Sequence, residues 1–443
     1  PLNILPEDSL TEISFLAIAD FSGNNIDDFT GSVAVKNIEF YNDTASYFLD
    51  RITTQAENIN ENERLISVNS DLAEMTLRGR FKLLKLFYSF KKYVYNYLPA
   101  IEPPETPVDY ATDTLSNLAY HIFIKKPVDF KRLRLGQVII NENTSMTGNF
   151  NSADSVFSAN IMTPGFTYQD YRMKHITVNV FSSYDELQCN ISCDRLNLSK
   201  NLTMQNVMFY SNAQNDSLRF GYHWENTNTS DYKGNIYGIA SFSDKNLADI
   251  PLVNLHILPS DITITDKDWK ISDHHIIIDS SNININNMLC SNTAQQFQID
   301  GNISEDPSKS LAISVDSFEL KNINPFFAGD SLYFMGKING KANLRNVYDN
   351  SVFLTNLKMD NFNINNQNFG ETYIDAEWNK QNEYIDIIAY NQKGEVKPVY
   401  IKGTYAPGDK SIAFDINLDK VRMNFLEPYV SENFSDVRGI ANG

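Results

Sequence analysis

The sequence predicts an all-β protein: one long, repetitive antiparallel sheet curled into an open trough, apolar inside, with a single amphipathic helix. Three observations carry this expectation. About 25 short segments alternate apolar with polar residues between clusters of Asn, Asp, Ser and Gly, the pattern of successive half-buried strands, and one segment alone has helical spacing. A motif recurs. Ile323-Asn324-Pro325-Phe326 precedes Gly336 and Gly340, and Met423-Asn424-Phe425-Leu426 precedes Gly439 and Gly443, a period of about 100 residues that requires several strands per repeat. In the last long alternating segment Ile412, Phe414, Ile416 and Leu418 fall on one side and Asp415, Asn417 and Asp419 on the other, so one face of that strand is dry.

The 443 residues suffice for two or three ordinary domains or one extended repetitive one. Hydrophobic residues at 42% and aromatic residues at 12% argue against disorder. A formal net charge of −18 argues against a nucleic-acid partner, because neutralising phosphates takes clustered Lys and Arg. No apolar run reaches the roughly 18 residues of a membrane-spanning helix, and no signal-peptide pattern opens the chain. Starting at Pro1 and stopping at Gly443 just inside a strand-opening motif, the sequence reads as an interior segment of a longer protein.

Residues 1–98 are expected to form a β-meander followed by a helix. Segments 29–35, 47–56, 65–68 and 75–79 alternate, joined by polar turns such as Tyr41-Asn42-Asp43-Thr44. At 81–98 the period changes: Leu83, Leu84, Phe87, Phe90, Val94 and Tyr97 recur at three to four residues, the stripe of an amphipathic helix. Arg78, Arg80, Lys82, Lys85, Lys91 and Lys92 make it the one strongly basic stretch of an acidic chain. That basic face has two readings: the solvated side of a helix packed on the sheet, or a helix that covers a groove mouth or touches anionic head groups. Leu83, Phe87, Phe90 and Val94 are the lid candidates. Pro99, Pro103, Pro104 and Pro107 end the helix and make 99–117 a Pro-rich linker.

Strands resume over 118–310, with a brief helix expected at 129–135, and continue through 311–443, which holds the repeat. Period-two alternation on this scale permits either several closed sandwiches or one long sheet with one apolar side. The repeat and the lack of composition shifts beyond 99–117 favour the long sheet. Its dry face gives the lining candidates Val178, Val180, Ile262, Ile264, Ile283 and Ile285, with Ile412, Phe414, Ile416 and Leu418 at the far end.

Reactive chemistry is sparse. No nucleophile elbow, zinc-protease motif or phosphate loop occurs, so an enzyme, a cofactor and a metal are not expected. Cys189 and Cys193 lie on one face of one strand, roughly 13 Å apart at about 3.3 Å per residue, too far for a disulfide. They read as small buried side chains rather than as a metal site with Cys290. His274 and His275 are adjacent, so on a strand they point to opposite faces and cannot hold one ion together. Asp266 and Asp268 face one way, and solvated loop carboxylates are the plainer reading than a calcium site.

Four blocks together resemble the Bacteroidota form of TamB, the translocation and assembly module family, and its AsmA-like relatives. They are 29–38 leading to Tyr41 and then 47–56; 69–79 followed by the helix ending Tyr97-Leu98-Pro99; Met146-Thr147-Gly148-Asn149-Phe150-Asn151-Ser152; and 424–429 leading into Gly439-Ile440-Ala441-Asn442-Gly443. The likeness covers most of the chain through degenerate patterns. It implies a periplasmic, bridge-like envelope protein held at the inner membrane by an anchor outside this segment. It also implies a folded-over sheet, a β-taco, whose greasy interior carries phospholipid acyl chains between the two membranes. Outer-membrane assembly machinery is the second partner the resemblance raises, met through sheet-edge strand pairing. Asp-Ser or Asp-Thr before an apolar residue, at Asp8, Asp43, Asp113, Asp154, Asp216 and Asp330, is similar to the O-glycan acceptor pattern of exported Bacteroidota proteins, although Asp and Ser also simply start turns. A surface adhesin array is a third reading, which would place aromatics on exposed faces rather than on one continuous face.

Overall fold

The computed structural model describes the chain apart from residues 1–10, 43–44, 102–115, 131–136, 155, 184, 199–201, 227–231, 244–250, 266, 327–332, 349–351, 366, 380–382, 393–395, 409 and 424–436. Among the described residues, 28 strands belong to a single antiparallel sheet, and the one α-helix, α1 (Leu83–Tyr95), has 13 residues. The all-β architecture expected from the alternation is therefore the one the chain adopts. Two compact units make it up: Pro1–Leu198 with Thr203–Trp224, and Ser199–Leu202 with Glu225–Gly443.

The first unit begins with the meander β1 (Thr11–Ser22), β2 (Thr30–Asn42), β3 (Ala45–Asn60), β4 (Glu63–Ser70) and β5 (Ala73–Arg80). After α1 come β6 (Asn117–Ile124), the short hairpin β7 (Val128–Asp129) and β8 (Val138–Ile140), and β9 (Thr144–Asn151). The unit closes with β10 (Val156–Tyr168), β11 (Tyr171–Ser182), β12 (Leu187–Asn197), β13 (Thr203–Gln214) and β14 (Ser217–Glu225). β5 pairs directly with β6, Met75 opposite Ile122, so the Pro-rich stretch joins neighbouring strands rather than separating two sheets. Its start, Pro99–Ile101, is a 3-10 turn. The brief helix expected at 129–135 begins instead on a strand, since Asp129 pairs with Ile139; 131–136 lie outside the described residues.

In the second unit β15 (Tyr232–Ser243) pairs with both β16 (Leu252–Ile257) and β17 (Ser260–Ile264). These two are halves of one strand interrupted at Leu258-Pro259, where proline has no N–H for the ladder. β18 (Lys267–Ile271) and β19 (His274–Asp279) return along them in a single register, Ser260 opposite Ile271 and Ile257 opposite His274. Then follow β20 (Asn282–Ser291), β21 (Gln296–Ile303), β22 (Ser310–Glu319), the 3-10 turn Leu320–Phe326 and β23 (Phe334–Arg345). The main sheet ends with β24 (Val352–Ile364), β25 (Gln367–Asn379), β26 (Tyr384–Gln392), β27 (Val399–Ala406) and β28 (Ser411–Leu418). A separate pair, β29 (Val421–Arg422) and β30 (Ile440–Ala441), follows.

The repeat is a repeat of geometry. Val315 lies opposite Gly340, Phe318 opposite Ile338 and Glu319 opposite Lys337. Further on, Leu418 exchanges both backbone hydrogen bonds with Gly443, Val421 lies opposite Ala441 and Arg422 opposite Ile440. Every position moves by the same 103 residues (315 to 418, 318 to 421, 340 to 443). At that offset Met423 corresponds to Leu320, not to Ile323 as the motif wording suggests. In each copy the bulged residue has a left-handed backbone, Ser317 at φ 52° and Lys420 at φ 55°.

Bulges recur along the sheet. Eight of the seventeen described non-glycine residues with positive φ are Asn, which tolerates that conformation best after Gly, and this accounts for part of the Asn-rich punctuation. Each bulge bends its strand and raises the local twist.

Register also decides which residues share a face, because directly opposed residues point the same way. In the first unit Val33, Thr54, Val68, Met75, Ile122, Met146, Ile161, Val178, Ile191, Phe209 and Tyr222 succeed one another from β2 to β14. In the second, Phe297, Val315, Gly340, Leu357, Ile374, Ala389, Ile401 and Ile416 do so from β21 to β28. One position over, Gln298, Ser314, Lys341, Asn356 and Asp375 make the opposite face polar.

Candidate functional site

Helix α1 lies on the apolar face of the first unit. The chain leaves β5 at Gly79, whose φ of 142° and close approach to Asn117 O leave no room for a Cβ. Leu83, Leu86 and Phe90 then fall on one side of the helix and Lys82, Lys91 and Lys92 on the exposed side. Phe90 meets Phe157 edge-on at 5.0 Å between centroids, and Tyr93 meets Phe150 at 5.5 Å. Phe150 and Phe157 are neighbours on β9 and β10, both almost fully buried.

The helix is held at both ends. At its start the Leu84 N–H donates to Asp27 Oδ1 at 3.3 Å, and the loop carrying Asp27 is gripped by Arg64, which donates to the carbonyls of Ile26, Asp27 and Phe29. Arg64 is itself buried on the apolar face, and that burial pulls its pKa down against the opposing pull of Asp27 and Asp28. At its end, Tyr93 in the last turn and Tyr97 just beyond share a 2.8 Å hydrogen bond, Tyr93 reaches Ser182, and Tyr97 Oη donates to Ser183 O at 2.8 Å. Asp216, in the β13–β14 turn, donates its N–H to Tyr97 O and accepts the Ala100 N–H at 2.7 Å. The helix is therefore a fixed strap, bonded to the β1–β2 loop at one end and to two turns at the other.

Beneath the strap an open cleft of about 370 Å³ is lined by Leu77, Leu83, Leu86, Phe90, Leu118, Tyr120, Ile122, Met146, Phe150 and Phe157. Its one polar group is the Tyr120 hydroxyl, which donates to Ser158 O at 2.8 Å. Burial pushes that phenol up to about 12. The Tyr120 ring crosses Gly148, where a Cβ would strike both the ring and Ser158 O.

Of the lid candidates, Leu83 and Phe90 line this cleft, Val94 is half-buried, and the Phe87 side chain lies outside the described residues. Val178 and Val180 share the apolar face, opposite Ile161 and Ala159, but do not border the cleft. Sequence reading passed over Leu118, Tyr120, Ile122 and Phe157 as lining; only the pairing of β6 with β9 and of β9 with β10 brings them together. Cys189 and Cys193 are free thiols on the same face, and burial raises both.

In the second unit Ile283 and Ile285 lie opposite Ile278 and Ile276, in a half-buried apolar row. Ile264 is half-buried, opposite Lys267 and Tyr232; Ile262 is placed differently from the open lining expected of it. Ile262 lies opposite Trp269, which is 1% exposed and packs on Phe318 at 5.8 Å, and the turn after Phe318 folds onto the sheet. Asn322 in that turn accepts from Thr265 Oγ1 at 2.5 Å and donates to Gln295 Oε1 at 3.1 Å. At this level the chain fills its own apolar face. At β28 the face is open: Ile412, Phe414 and Ile416 are 67%, 40% and 57% exposed, with Leu418 half-buried.

His274 and His275 do point to opposite faces, His274 buried and His275 exposed. Asp268 accepts from Thr263 Oγ1 at 2.6 Å, and Asp266 lies outside the described residues. Of the Asp-Ser/Thr positions only Asp216-Ser217 is described in full, and there the carboxylate is engaged with Ala100.

Fold and site together define a class: an extended antiparallel sheet with one apolar face, strapped by an amphipathic helix. Comparison with protein-family models, curated protein sequences and solved structures finds no match.

Proposed function

We propose that the chain is part of a periplasmic, bridge-like envelope protein whose apolar sheet face carries phospholipid acyl chains between inner and outer membranes. The observation that carries the reading is the mainly apolar row that passes from strand to strand over β2–β14 in the first unit, widened into a cleft under α1, and over β21–β28 in the second. Taking an acyl tail of about 15 carbons from a bilayer into water costs on the order of 12 kcal/mol, at about 0.8 kcal/mol per CH₂. A continuous apolar lining removes most of that cost without any catalytic group, so the reading requires no enzyme chemistry. The resemblance to TamB and its AsmA-like relatives points the same way and supplies the compartment and the two membranes. At Trp269 and Phe318 the chain packs against its own apolar face, so on this reading acyl chains contact the row at Ile276 and Ile285 and not Ile262.

A photocrosslinking residue in place of Met146, in the cleft, or of Ile416, on the open face, tests this in living cells. Phospholipid adducts at both positions support carriage, and their absence at both overturns it. Protein adducts alone at Ile416 favour a second reading, strand docking by an assembly partner. That reading has its own observation: among the described residues β28 pairs along its length with β27 alone, apart from Leu418 which also bonds Gly443, and it contains neither Lys, Pro nor a bulge, whereas β1 is interrupted by a bulge at Ser14–Leu16.

A further inference from the structure

On the polar face of the second unit, away from the apolar row, β16 and β19 set His256 opposite His275. Their rings stack at 4.2 Å between centroids and 15° between planes. Asp273, two residues before His275 and so on the same side of the strand, lies in the two-residue link where β18 passes into β19. Its Oδ1 is 2.9 Å from His256 Nε2. One nitrogen from each imidazole and one carboxylate oxygen lie within 4.8 Å of one another.

We propose that His256, Asp273 and His275 form a binding site for a divalent transition-metal ion of the zinc class. Donors on a tetrahedral zinc ion stand roughly 3.3 Å apart, given Zn–N distances of about 2.0–2.1 Å. In the present arrangement the stacked rings hold their in-plane lone pairs side by side, so binding an ion requires one imidazole to turn about its side-chain torsions until its nitrogen faces the same point as the Asp273 oxygen. The second shell is in place as well. Asn254 Oδ1 sits 3.1 Å from His275 Nδ1, so the Nδ1–H tautomer donates to it and Nε2 keeps the lone pair a metal takes. Two imidazoles and one carboxylate suit zinc, nickel or copper, whereas calcium and magnesium require oxygen-rich shells. Three protein ligands leave a coordination position for water or an incoming ligand. The local fold explains why the donors converge: Pro259 and the Ser272-Asp273 link interrupt both strands of the hairpin at the same level, and this turns the Asp273 carboxylate towards the imidazole beside it.

Calorimetric titration of the purified chain with Zn²⁺ alone, with Co²⁺ absorbance as the geometric readout, tests the site. The expected result is one saturable ion per chain and a Co²⁺ spectrum typical of a four-coordinate nitrogen and oxygen set. His256→Gln and His275→Gln should each abolish saturable binding, and Asn254→Ala should weaken it by about 10- to 100-fold. His175→Gln, which removes an exposed histidine paired with Asp194 at 2.9 Å, should leave it unchanged. His256, His275 and Asn254 are on the polar face of the second unit, and circular dichroism checks that each variant is folded. Absence of saturable Zn²⁺ binding to the parent chain overturns the proposal, as does binding that survives the His256→Gln/His275→Gln double variant.

Discussion

The Ser317 N–H donates to Asn339 Oδ1 across 2.7 Å, and 103 residues later the Lys420 N–H donates to Asn442 Oδ1 across 2.9 Å. In both copies a residue with a left-handed backbone sits in a bulge, and an Asn just before a glycine of the facing strand satisfies the N–H that the bulge takes out of the ladder. A third instance, Asn287 N–H to Asp300 Oδ1 at 2.9 Å beside Gly301, uses a carboxylate for the same purpose. The repeat unit is thus a capped bulge and a Gly-led return strand.

That relationship gives the first prediction. Asn339→Ala leaves the Ser317 N–H without its partner inside the sheet and should destabilise the second unit by about 1 kcal/mol. Asn339→Asp keeps an acceptor for Ser317 but sets a carboxylate against Asp360, which accepts from Asn339 Nδ2 at 3.3 Å, so it should restore only part of the loss. Denaturant midpoints of the two variants, compared with the parent, check the difference.

Helix α1 gives the second. Phe90→Ala removes the ring that packs on Phe150 and Phe157. Since Phe90 is only half-buried, the cost should be roughly 2 kcal/mol, below the range for a fully buried Phe. Lys92→Ser, on the exposed side, should change stability by less than about 0.5 kcal/mol. If the cleft holds acyl chains, phospholipid co-purifying with the protein should fall in Phe90→Ala and not in Lys92→Ser, as read by mass spectrometry of organic extracts.

Tyr120 gives the third, in alkali. Burial raises its phenol from the ordinary 10 to about 12, so the folded chain holds that proton more tightly than the unfolded one. Its stabilising contribution is complete below pH 10 and is lost as pH rises through about 12. Tyr120→Phe should therefore cost about 1 kcal/mol at neutral pH through the lost bond to Ser158 and should flatten the alkaline fall in stability. Chemical denaturation at a series of pH values checks both effects; an unchanged alkaline limb would show that other groups dominate it.

Much of this was legible in the sequence because strand formation here is local and periodic. Alternation at Ile412–Leu418 marks a face whichever strand lies beside it, and the 3.6-residue stripe at Leu83, Phe90 and Val94 marks a helix without reference to a neighbour. The glycine–Asn punctuation foretold a repeat; its glycines step by 103 and its preceding motif by 100, and the pairing decides for 103, where Met423 falls on Leu320.

What the amino-acid order could not reveal were the relations between strands. Which strand lies beside which is settled by the sum of cross-strand contacts over long sequence separations, and a slip of one residue reverses every face. So the cleft of Tyr120, Phe150 and Phe157, the plugging of Ile262 by Trp269 and Phe318, and the meeting of His256 with His275 were decided by tertiary structure alone. The sequence by itself determined a sheet with one greasy side; register and the strap of α1 determined where that side stays open, because only they bring distant side chains within van der Waals reach.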